Sequence, residues 1–117
     1  LVSAASDEKI EARMQELREL SKEYAKAKAQ QVYLEEFKKS KLAILMKAAE
    51  VAGHKSATTQ EREARASDSY IEFLDGLKDA VERAESLRWQ LQIAEIGSEV
   101  WRTQQANQRA ERRGYGA

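Results

Sequence analysis

Few side chains in this sequence are equipped for covalent or acid–base chemistry. Acid pairs such as Glu35-Glu36 and Asp75 with Asp79 have the closeness that general acid–base catalysis uses, but a helix carries such pairs as solvated surface. The one histidine, His54, stands beside Lys55 in the segment richest in turn residues, where a solvated loop imidazole is expected. Without a second histidine no Ser/His/Asp set assembles convincingly, and the Glu-x-x-His pattern of di-iron bundles is missing. There is no cysteine, hence no disulfide framework, thiolate nucleophile or cysteine-based zinc site. No glycine-rich phosphate loop is present. The expectation is a chain that is not an enzyme and that needs neither metal nor cofactor.

Arginine and tryptophan offer a different chemistry, that of binding. Lys55, Arg62 and Arg65 fall near the middle of the chain; Arg102, Arg109, Arg112 and Arg113 gather at its C-terminal end. Either group suits phosphate contact, and an oligomer would multiply the patch. For Arg112 and Arg113 the simpler reading is that cations complement the negative end of a helix dipole. Trp101 reads as core, with base stacking as the less favoured alternative. Trp89 reads as an interface anchor, or as a stacking residue for single-stranded nucleic acid.

These residues must be placed by helices. The sequence contains no proline, whose presence in a helix interior costs about 3 kcal/mol, so helix can run for dozens of residues. Ala, Glu, Lys, Arg, Gln and Leu dominate, as in long helices and coiled coils. Ser3 and Ser6 followed by Asp7 and Glu8 read as a helix start. Apolar residues then recur three or four apart from Ile10 to Ala52, thinning over the alanine- and lysine-rich stretch Tyr24 to Gln31. Gly53 stands where a left-handed residue would end the helix. Thr58 and Glu61 fit a capping box for a short helix, and Ser67-Asp68 offers a cap for the next.

The predicted fold is all-α: a single-domain, long antiparallel helical hairpin, coiled-coil-like, with a short helix in its turn. Its helices span about 7–52 and 68–113, with the turn and short helix over about 53–67. Beyond, Gly114-Tyr115-Gly116-Ala117 should fray. In the last helix one seam reads Tyr70, Leu74, Leu77, Val81, Ala84, Leu91. A second reads Phe73, Leu77, Ala80, Ala84, Leu87, Leu91, Ala94, Ser98, Trp101. Two overlapping seams are wider than one partner helix covers, so a homo-oligomeric bundle is expected, with Tyr70, Phe73, Leu77, Ala84, Leu87, Leu91 and Trp101 at its interface. Gly76 and Gly97 mark either tolerated helix glycines or a close helix crossing.

Net charge is zero, which argues against a generic basic nucleic-acid coat, but the charges are segregated. Lys22 to Lys47 holds seven lysines against Glu23, Glu35 and Glu36; Asp68 to Glu85 holds six acids against Lys78 and Arg83. A hairpin would set Lys38, Lys39, Lys41 and Lys47 near Asp75, Asp79 and Glu82, and cross-hairpin pairing is expected. The longest apolar run, Leu42 to Met46, is too short to span a bilayer, and no signal-peptide pattern opens the chain. A cytoplasmic location, with no membrane partner, is expected. Because the chain opens on Leu1, part of the natural N-terminus is expected to lie upstream.

The run from Thr59 to Tyr70, followed by Leu74, Leu77 and Ala80, then Leu87-Arg88-Trp89-Gln90-Leu91 and Glu99 to Asn107, resembles a phage family. It is similar to the small helical proteins that tailed phages and prophages encode beside recombination genes, some of them like the UvsY-type recombination mediators. The resemblance covers roughly residues 40–113. It implies a homo-oligomeric mediator that binds single-stranded DNA and helps load a RecA-like recombinase by displacing single-strand-binding protein. The family's basic and aromatic DNA-binding stretch has its nearest counterpart in His54-Lys55 with Arg62 and Arg65, which is sparser. The other expectation is a structural or adaptor coiled-coil protein, such as a phage assembly scaffold, acting through protein contacts alone.

Overall fold

The computed structural model describes residues 2–116, with side chains over 7–114. It is all-α, with three helices and no strand among the described residues: α1 (Val2–Val51), α2 (Ala57–Ala66) and α3 (Asp68–Gly116). Helix α1 starts upstream of the expected Asp7; the proposed caps Ser3 and Ser6 lie outside the described side chains. Helix α3 continues through Gly114 to Gly116, past the expected end near Arg113.

The breaks have local causes. Gly53 adopts φ +110°, a left-handed conformation that disfavours any side chain. Its N–H bonds the Glu50 carbonyl at 3.0 Å, and the His54 N–H bonds the Ala49 carbonyl at 3.1 Å. That pair of bonds is a Schellman motif, which satisfies carbonyls orphaned at the end of α1. The cap of α2 is Ser56, whose Oγ accepts from the Thr59 N–H at 3.2 Å. This corrects the expected Thr58–Glu61 box: Thr58 is already inside the helix, and Glu61 is engaged by Arg65 instead. Ser67 separates α2 from α3. Its Oγ donates to the Ala64 carbonyl at 2.6 Å and accepts from the Tyr70 N–H at 3.2 Å, so one side chain closes one helix and opens the next.

The chain divides into two compact units. One comprises Ala25–Glu85: the second half of α1, all of α2 and the start of α3. Its buried residues are Ala27, Ala49, Ala64, Tyr70 and Ala84. Four of these five are alanine, so backbones approach closely there and bulk comes from half-buried neighbours. Phe37 stacks on Tyr33 and meets Phe73 of α3 at a 56° tilt, both with ring centroids 6.0 Å apart. His54 is half-buried, lining a groove with Leu45, Ala49 and Ala64, and is not the fully solvated loop residue expected. Gly76 has nothing within 4 Å of where a Cβ would stand, which supports tolerance over a close crossing.

The other unit joins the chain up to Tyr24 with the chain from Ser86 onward. Here residues of α1 and α3 line common grooves: Leu20 shares one with Ile93 and Ala94, and Ile10 shares one with Trp101 and Arg102. Leu87 is buried, while Ile10, Leu17, Leu20 and Tyr24 are half-buried with Leu91, Ala94, Ser98 and Trp101. These α3 residues follow the second predicted seam. A two-helix layer has no side left over to cover its flanks, which is why so few large side chains are fully shielded.

Candidate functional site

The basic residues form two groups, one in each unit, with different surroundings. In the turn group Lys55 is exposed on the loop, Arg62 Nε lies 4.0 Å from Glu63, and Arg65 gives Nε and Nη2 bonds of 3.0 and 2.8 Å to Glu61 Oε1. The Arg65–Glu61 pair is an exposed i,i+4 contact that stabilises α2 by about 0.3–0.5 kcal/mol. Its guanidinium is already occupied by a carboxylate of the same helix. Arg62 and Arg65 thus each lie beside a carboxylate of α2, while Lys55 makes no ion pair among the described residues.

The C-terminal group is arranged differently. Arg102, Arg109, Arg112 and Arg113 are all exposed on α3. At 100° per residue they fall within a sector of about 100° on the helix surface. None makes an ion pair among the described residues; Arg109 Nε donates only to the Gln105 carbonyl at 3.4 Å. The seam that runs through Leu91, Ala94, Ser98 and Trp101 continues as Gln105, Arg109 and Arg112, so an apolar stripe passes directly into a cationic one.

At that changeover lies a groove lined by Ile10, Arg13, Met14, Leu17, Ser98, Trp101 and Arg102. Trp101 is half-buried, as its place on the seam predicts, and the Arg13 guanidinium lies 5.9 Å from its ring centroid. Arg13 was invisible as a site residue in the sequence, because nothing local ties α1 to Trp101. An aromatic face, an apolar floor and two guanidinium groups together can hold a planar base and the phosphate beside it.

The residues expected to face a second copy are buried or half-buried in one copy. Tyr70, Ala84 and Leu87 are buried within one copy, and Phe73, Leu77, Leu91 and Trp101 are half-buried. The uncovered apolar surface on this part of α3 is elsewhere: Trp89, Ile93, Ile96 and Val100 are 55, 67, 60 and 51% exposed. Trp89 carries the Arg88 guanidinium 5.0 Å from its ring centroid. The 4-3-4 spacing of these four was available in the sequence, but on a helix with a stronger stripe it reads as background.

The expected pairing of Lys38, Lys39, Lys41 and Lys47 with Asp75, Asp79 and Glu82 is not made. Among the described residues, the ion pairs Lys22–Glu19, Arg62–Glu63 and Arg65–Glu61 each stay within one helix. No three His, Cys, Asp or Glu side chains gather as metal ligands, and no helix is long and apolar enough to cross a membrane, among the described residues. Comparison with protein-family models, with curated proteins and with solved structures finds no match for this chain.

Proposed function

We propose that this chain is a non-enzymatic recombination accessory protein: a self-associating helical hairpin that binds single-stranded DNA and assists a RecA-like recombinase. One observation carries the reading. The Trp101 groove, edged by Arg13 and Arg102, opens onto three further arginines of the same helix that have no acidic partner. Affinity then comes from phosphates and from stacking, with little sequence preference. The resemblance over residues 40–113 to UvsY-type mediators supplies its proposed partners, a recombinase and a single-strand-binding protein, although it would put the DNA contact on the turn group. The DNA-contacting surface is assigned to Arg13, Trp101, Arg102, Arg109, Arg112 and Arg113, with the turn group Lys55, Arg62 and Arg65 secondary.

Fluorescence anisotropy with a labelled single-stranded oligonucleotide tests it. Log K should fall with log salt by about 0.7 per phosphate neutralised, and replacing Arg109, Arg112 and Arg113 with alanine should flatten that slope by about 2. Replacing Arg62 and Arg65 should change it less. An intact oligomer that fails to bind at about 50 mM salt, where phosphate contacts are strong, refutes the proposal. A second reading, an adaptor or assembly scaffold acting through protein contacts alone, is favoured by the zero net charge and by the self-paired turn arginines. It predicts the same self-association without salt-sensitive DNA binding.

A further inference from the structure

The exposed stripe Trp89, Ile93, Ile96, Val100 recurs with intervals of four, three and four residues, the spacing of a and d positions in a heptad. It lies on the side of α3 roughly opposite to Leu87, Leu91 and Ala94, so α1 leaves most of it open and only Ile93 lines a groove with Leu20 of α1. The intervals read the same in both directions. A helix turned end over end therefore presents the same stripe to itself, which is the requirement for an isologous two-fold contact.

We propose that this stripe is the contact between two copies of the chain, formed by antiparallel pairing of their α3 segments around residues 94 and 95. The inference rests on the self-association in the reading above and supplies its surface. Ile93 meets the partner's Ile96, and Trp89 meets the partner's Val100. Four side chains of this size and exposure leave about 500 Å² of apolar surface open on one copy, at the upper end of what a monomer usually shows. Two copies together offer at most about 1,000 Å² from these residues, near the lower bound for a specific interface. The flanks are complementary as well. Glu99 comes opposite the partner's Gln92, whose amide can donate to it, and Gln90 comes opposite the partner's Gly97. Among the α3 positions that flank the seam, Gln90, Gln92, Gly97 and Glu99, no like charges face one another, while Glu16, Glu19 and Glu23 of α1 line the groove beside Gln90 and Ile93.

Sedimentation equilibrium on the full chain, with helicity followed by circular dichroism, provides the test. The unaltered chain should be at least dimeric at micromolar concentration. The double variant Ile93→Glu with Ile96→Glu should be smaller by a factor of two or more yet equally helical, since both positions are exposed in one copy. If the unaltered chain is monomeric, both self-association and this surface fall. If it is oligomeric and the variant has the same mass, self-association stands and this surface is wrong. Orientation is read from cysteines, of which the chain has none. Antiparallel pairing links Gln92→Cys to Glu99→Cys in a mixture, while Glu99→Cys alone stays unlinked because its two copies stand about 13 Å apart along the axis. Efficient linking of Glu99→Cys alone overturns the antiparallel arrangement.

Discussion

Gly76 allows a clean measurement of whether the packing seen in one copy is complete. It lies inside α3, is exposed, and a Cβ built on it would have no neighbour within 4 Å. In such a place glycine costs helix stability through backbone entropy alone, so Gly76→Ala should stabilise the chain by about 1 kcal/mol. Unfolding entropy near 2.1 cal/mol/K per residue over a chain of this length converts that to a rise of about 4 °C in Tm. Differential scanning calorimetry at one fixed protein concentration is the assay, because self-association makes Tm depend on concentration. The sign matters more than the size. A lower Tm means that the added methyl meets an atom that one copy does not contain, which would place Gly76 at a close helix crossing between copies. The tolerance argued from its empty surroundings would then be wrong.

Two further substitutions probe the joints and the core. Ser67→Ala removes both the bond to the Ala64 carbonyl and the cap on the Tyr70 amide, and should lower stability by about 1 kcal/mol while speeding hydrogen exchange at Tyr70; unchanged exchange would show that the cap is dispensable. Ala84→Glu buries an unpaired carboxylate at a position only 2% exposed, and should cost about 3 kcal/mol or more in thermal or urea unfolding; an unaltered midpoint would mean that α3 rolls to expose this face.

Local physics made much of the architecture legible in the chain itself. Gly53 ends α1 and Ser67 opens α3 because a left-handed residue and a capping hydroxyl act on their nearest neighbours, whatever the rest of the molecule does. The cap of α2 was misplaced because Ser56, Thr58 and Thr59 all carry suitable hydroxyls, and only the path of the chain out of the Gly53 turn selects Ser56. The arginine clusters were equally visible as clusters. Their availability was not: Arg65 is taken by Glu61 one turn away, whereas the C-terminal four meet no acid.

What the residue order determined by itself is therefore helix, break and inward seam, since each depends on contacts a few positions apart. How each helix is rotated about its own axis was decided by tertiary packing. Rotation follows from the total burial achieved against other helices, and a helix with two apolar stripes has more than one plausible answer. That choice placed Arg13 over Trp101, left the lysines of α1 without ion pairs to the acids of α3 among the described residues, and turned Trp89, Ile93, Ile96 and Val100 outward.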